Sequence, residues 1–227
     1  MPRLVSRPRT CRSNQKRPPG RFFCSLLLLL IFGTLGVHAQ KTVSQVVLEQ
    51  EIDRLLVQGE DCFRIRILSQ ASREVRLEAE MQGEYQEALV VRTEKLGTTL
   101  RIGTEFAPGF NLPNDKLGAH KVFSVDLLLV VPEDLEIVLT ARNCELRTSG
   151  NLQSFEATVD GGICILDHQG TSTWVRTQRA GIEAHVARGT VTANSQFGTT
   201  RIAEIPEGPQ SYRFESTHGG ITVSHKP

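Results

Sequence analysis

Five polar side chains gather in the longest stretch of this 227-residue chain that lacks a strand pattern. They are Asn114, Asp115, Lys116, His120 and Lys121, within the segment Glu105 to Lys121, EFAPGFNLPNDKLGAHK. Loops of that length are usually functional or disordered. Asp115 with His120 is a metal-type pair and the two lysines suit an anion, yet a calcium loop needs more closely alternating oxygen ligands than one Asn-Asp pair offers. The segment reads first as a cap or crossover between strands, with a binding loop as the alternative.

His168 and His185 lie close in sequence to Asp167 and Glu183. No Ser-His-Asp or His-x-x-x-His arrangement is recognisable around them, and a solvated strand face accounts for them equally well. No catalytic residue, metal or cofactor is therefore assigned. Phe155, Trp174 and Tyr212 fall at spacings of 19 and 38 residues, so equal repeats would align them in one aromatic ladder. Facing inward such a ladder is core; facing outward it is a platform for sugar rings.

Elements able to position these side chains are strands. Phe63, Ile65 and Ile67 alternate with Arg64 and Arg66, and Val75, Leu77, Ala79 and Met81 alternate with Arg76, Glu78 and Glu80. Leu100-Arg101-Ile102 and Val125 to Val131 repeat the pattern, which is that of half-buried strands. Val46 to Leu56 fits either period. From Leu135 the chain repeats about every nineteen residues: a short alternating strand, a tight polar or glycine turn (Arg142-Asn143, Gly161-Gly162, Ala180-Gly181, Gly198, Gly219-Gly220), and a second short strand. A unit that small cannot bury its own apolar face, so neighbours must stack. The fold class expected is all-β: a stacked short-strand parallel β-solenoid or β-helix with repeats of about 19–20 residues, preceded by further β-strands. An antiparallel meander is the alternative.

The column Ile163, Ile182, Ile221 is expected to face inward, which carries Cys144 inward and turns Cys164 to the opposite face. Two cysteines with diverging Cβ vectors cannot bond. If the Gly161-Gly162 turn holds one extra residue, Cys144 and Cys164 share a column instead.

Compartment follows from the first 39 residues. Seven basic residues, Arg3 to Arg21, precede the apolar run Phe22 to Val37, and no acidic residue occurs before Glu49. That is a signal peptide with cleavage expected after Ala39, and the run is shorter than a membrane span prefers. The whole chain has 26 basic and 25 acidic residues, so losing the leader leaves an acidic mature chain. A nucleic-acid binder shows a basic patch instead. The division expected is 1–39 signal peptide, 40–134 N-terminal β-strand region and 135–227 repetitive region continuous with it, with no stable transmembrane segment in the mature chain.

The segment NDKLGAHKVFSVDLLLVVPEDLEIVL, followed by the turns GGICI, AGIEA and GGITV, resembles the putative adhesin family of bacterial envelope proteins, head-GIN-like, and Bacteroidota members in particular. The resemblance implies a secreted β-solenoid of the periplasm or cell surface with no assigned enzymatic activity. Its partner would be an envelope or surface protein or glycan. Two other classes stay open on the sequence: a carbohydrate-active β-helix enzyme, which would need carboxylates gathered in a cleft, and an envelope ligand-binding sensor built on the Glu105 to Lys121 segment.

Overall fold

Alternation of apolar and polar residues over short runs bounded by Gly, Pro, Asn and Ser makes strands of most of the described residues. The structure, a computed structural model, describes residues 41–47, 52–83, 85–110 and 123–227. In chain order come β1 (Lys41–Val47), β2 (Arg54–Gly59), β3 (Cys62–Gln70), β4 (Val75–Gly83), β5 (Leu89–Leu96), β6 (Thr99–Phe106) and β7 (Phe123–Pro132). A 42-residue extended run, β8 (Glu136–Thr177), follows. Then come β9 (Gly181–Val186), β10 (Thr190–Ser195), β11 (Thr200–Ile202), β12 (Ser211–Ser216) and β13 (Ile221–His225). There is no helix among the described residues, and none long and apolar enough to cross a membrane.

All thirteen strands belong to one mixed sheet whose main path runs β1-β4-β7-β3-β8-β2-β6-β5. Pairing is antiparallel for β1 with β4, β4 with β7 and β5 with β6, and parallel where β2 and β3 meet β6, β7 and β8. One run, β8, serves both β2 (Arg54 opposite Glu136) and β3 (Arg64 opposite Glu145) because it turns at the exposed pair Arg142-Asn143. At the ends of the path, Lys41 Nζ donates to the carbonyl of Leu89 at 3.0 Å, tying β1 to β5.

Strand side chains alternate between faces, and the inward set forms one apolar cluster that runs from Leu55 through Val75, Leu77, Ala79 and Met81 to Val223. Phe63 departs from the expected alternation. The register slips between Cys62 and Arg64, so Cys62 and Ile65 are both buried while Phe63 is 57% exposed. A β-bulge of this kind lets two residues oppose one and turns the intervening side chain outward.

In the second half every pairing among β8 to β13 is parallel, but stacking order differs from chain order. β12 lies against β8 (Tyr212 opposite Thr173), and β13 against β9 (Ile221 opposite Ile182). β10 and β11 lie outside them, against β12 and β13. A nineteen-residue repeat stacked in sequence would have put β10 and β11 in the middle. Burial explains the exchange: β12 and β13 supply Tyr212, Phe214, Ile221 and Val223, all buried, whereas β10 and β11 offer Val191, Ala193 and Ile202. The richer pair takes the position with neighbours on both sides, where burial yields more.

The expected Ile163 column fails by one residue. Cys164, not Ile163, stands opposite Ile182, and Ile163 stands opposite Gly181. Gly162 at φ 101° accommodates the extra residue of the turn. Cys144 and Cys164 consequently both face inward, so the reason expected for their not bonding is overturned. All three described cysteines, Cys62, Cys144 and Cys164, are nevertheless free and buried. Burial pushes the thiols of Cys62 and Cys164 up to about 12, far from the thiolate needed for reaction. Native protein at pH 8 is therefore expected to resist a thiol reagent and to release three reactive thiols per chain of residues 40–227 in denaturant. A count of one, with a peptide linking Cys144 to Cys164, would contradict this.

Candidate binding site

Three turns of the second half are built alike, from a hydroxyl residue followed three positions later by Gly or Ala. Thr177 donates to the carbonyl of Ala180 at 2.9 Å. Ser195 accepts from Gly198 N at 3.0 Å, and Ser216 accepts from Gly219 N at 2.8 Å. Such side-chain bonds hold a tight turn in place. The turns also lie against one another: His218 N donates to the carbonyl of Gln178 and Phe197 N to that of Thr217. Gly219 sits directly on the carbonyl of Ala180, and Gly198 on that of Gly219, leaving no room for a Cβ. The Thr/Ser-x-x-Ala/Gly spacing of these turns is present in the sequence at Thr177–Ala180, Ser195–Gly198 and Ser216–Gly219.

Beside these turns lies an open groove of about 550 Å³ whose walls include Arg176, Thr177, Asn194, Gln196, Glu215 and Thr217. Its charged residues are already committed. The Arg176 guanidinium bonds Glu156 Oε1 at 2.7 Å and lies 4.2 Å from the Trp174 ring centroid. Glu215 accepts from Arg213 at 2.6 Å and from Trp174 Nε1 at 3.2 Å, and Arg213 and Trp174 hold its carboxyl below the usual range. Among the described residues, the side chains of Asn194, Gln196 and Thr217 form no hydrogen bond to protein. Phe197, next in sequence to Gln196, is 67% exposed and stacks on His218 with centroids 5.0 Å apart and planes at 17°.

Elsewhere on the outer surface, cations pair across neighbouring strands: Arg54 with Glu136 at 2.6 Å, and Arg64 with both Asp126 at 3.1 Å and Glu145 at 3.4 Å. Exposed pairs of this kind contribute roughly 0–1 kcal/mol each. The Arg92–Glu105 and Arg101–Glu94 pairs line a separate cleft of about 200 Å³ together with Glu60 and Asp61.

The residues singled out in the sequence fall in different places. Asn114, Asp115, Lys116, His120 and Lys121 lie outside the described residues. Phe155 and Tyr212 are buried, whereas Trp174 is half-buried on the outer face and stands opposite Arg213. Tyr212 stands opposite Thr173, so the three aromatics do not form one ladder; the one-residue shift at Gly161-Gly162 puts Trp174 on the other face. His168 is a core residue. Its Nδ1 lies 2.6 Å from Thr148 Oγ1, its Nε2 2.9 Å from Thr173 Oγ1, and its ring packs edge-on to Phe155 at 5.1 Å. Both ring nitrogens thus have partners, and burial lowers the ring to about 4, leaving it neutral at pH 7. His185 is separate from it, on the outer face, with Nδ1 4.0 Å from Asp167, which Lys226 holds at 2.6 Å.

No protein-family model matches the chain, and none of the curated proteins does. Solved structures are similar. A putative cell adhesion protein from Clostridium sporogenes is 14% identical with a TM-score of 0.59, over 83% of this chain and 100% of that one. A putative adhesin from Parabacteroides distasonis is 11% identical with a TM-score of 0.46, over 81% and 70%. A putative adhesin from Bacteroides fragilis is 10% identical with a TM-score of 0.33, over 82% and 99%. The first likeness shows the fold alone, and the other two are too distant in shape to carry an argument.

Proposed function

We propose that this chain is a non-enzymatic, adhesin-like interaction module of the cell envelope or cell surface, exported by its first 39 residues. The mature protein begins at Gln40. In this reading residues 40–134 form a strand region that runs on into a β-solenoid of residues 135–227, and the partner is a protein or a glycan of the envelope or surface.

The observation that carries the reading is how the outward side chains are used. Cations and carboxylates pair along the strands, and beside the groove the exposed side chains of Asn194 and Gln196 stand next in sequence to the exposed ring of Phe197. Catalysis calls for ionisable groups held in reach of one another and of a substrate; recognition calls for shape and unsatisfied polar groups beside apolar surface. The arrangement suits recognition. Likeness in fold to a putative cell adhesion protein supports it.

Export is tested by expressing the full chain in a Gram-negative host, fractionating the cells and sequencing the N-terminus of the product. The expected result is a chain starting at Gln40 outside the cytoplasm. A cytoplasmic product retaining Arg3 or Phe22 would overturn the reading.

A further inference from the structure

The groove beside the Thr177, Ser195 and Ser216 turns has a composition that selects among ligands. A charged ligand would have to displace an existing partner: Arg176 already bonds Glu156, and Glu215 is shared by Arg213 and Trp174. What the groove offers freely is neutral: the amides of Asn194 and Gln196 and the hydroxyl of Thr217, each able both to donate and to accept. Amides and hydroxyls with both capacities match vicinal hydroxyl groups, which likewise donate and accept.

Apolar surface adjoins the groove in the chain, just outside its lining residues. Phe197 directly follows Gln196, and its ring is 67% exposed although a ring of that size is ordinarily buried. One neighbour, His218, stacks on it at 5.0 Å and holds it parallel to its own plane. A fixed ring face next to neutral donors and acceptors complements a molecule with a C–H face and a hydroxyl rim, namely a pyranose. The groove is open and of about 550 Å³, the scale of one or two sugar units.

We infer that this corner binds a neutral saccharide, with Phe197 as the stacking face and Asn194, Gln196 and Thr217 as its hydrogen-bonding partners. The inference rests on the reading of the chain as an interaction module and names the ligand class of that module. Phe197 and Asn194 are both exposed, and polar or apolar surface changes away from packed groups usually move stability by less than about 0.5 kcal/mol. Their replacement therefore tests binding without unfolding the protein.

The experiment is saturation-transfer NMR on residues 40–227 with cellobiose, maltose and N,N′-diacetylchitobiose as probes, and a sulfated disaccharide as the charged counterpart. At least one neutral disaccharide is expected to show transfer centred on its ring C–H protons. In Phe197→Ala and in Asn194→Ala the affinity is expected to fall about three- to tenfold, the scale of one stacking contact or hydrogen bond, with the melting temperature unchanged. No transfer to any neutral probe, transfer unaltered by both substitutions, or preference for the sulfated probe would each overturn the inference. Retention of envelope material by the same protein without sugar binding would leave the interaction reading standing and remove the saccharide site alone.

Discussion

Replacing Gly162 by Ala is expected to destabilise the fold by about 3 kcal/mol or more, because two costs coincide there. Gly162 has φ 101°, where an L side chain is strained, and a Cβ would collide with the backbone carbonyl of Cys144. The chain cannot retreat, since the turn places Cys164 opposite Ile182 and sets the inward face of everything that follows. Two further glycines separate the costs. Gly97 has φ 64° but open space around it, so Gly97→Ala carries only the backbone strain, about 1 kcal/mol. Gly181 meets nothing nearer than 3.8 Å and has no positive φ; Gly181→Ala is expected to stay within about 1 kcal/mol of the parent. Urea denaturation of the three variants checks the order. Equal losses at Gly97 and Gly162 would show that the close approach to Cys144 contributes nothing.

Acid is expected to weaken the protein by about 3 kcal/mol between pH 6.5 and pH 4 through His168 alone. Burial lowers this ring from 6.5 to about 4 in the folded chain, the nearby Asp167 opposing the shift. Above 6.5 neither state carries the proton and His168 adds no pH dependence. Below 6.5 the unfolded chain takes up the proton while the folded chain does not, so stability falls as pH falls; below about 4 both states are protonated and the loss stops. Glu145 and Glu215 act in a different window. Arg147 and Arg213 hold their carboxyls below 4.5, so the stability they add is present above 4.5 and lost only as pH drops beneath it. Chemical denaturation at half-unit pH steps should show the slope in the parent and its absence in His168→Leu. That variant is also less stable at pH 7, because the hydroxyls of Thr148 and Thr173 lose their shared partner. A slope of equal size in the variant would assign it to another group.

The legible part of this fold is the part set by local alternation. Val75, Leu77, Ala79 and Met81, and Val125 to Val131, read correctly because each strand has one buried and one solvated face and no irregularity. Phe63 did not, because a bulge adds a residue without leaving a compositional mark. The same limitation moved Ile163 and Cys164: only the positive φ of Gly162 distinguishes that turn from Ala180-Gly181, and both contain glycine. The stacking order of β10 to β13 is non-local. It depends on comparing what each pair buries, Tyr212 and Phe214 against Val191 and Ala193, and not on any spacing.

Candidate sites were harder to read for a related reason. His168 has the residue type of a catalyst, and only its enclosure by Thr148, Thr173 and Phe155 makes it core. Asn194, Gln196 and Phe197 look like ordinary turn and edge residues until the pairing of β10 with β12 brings them beside Thr217 and His218.

Recognition of envelope or surface material is the central claim, and one binding measurement addresses it. Labelled residues 40–227 are titrated onto envelope preparations from the source organism, with unlabelled protein as competitor. The account predicts saturable binding that excess unlabelled protein displaces, with the labelled chain and the envelope polymers chemically unchanged afterwards. Binding that is linear in concentration and indifferent to competitor, or turnover of an envelope glycan by the purified protein, would contradict it.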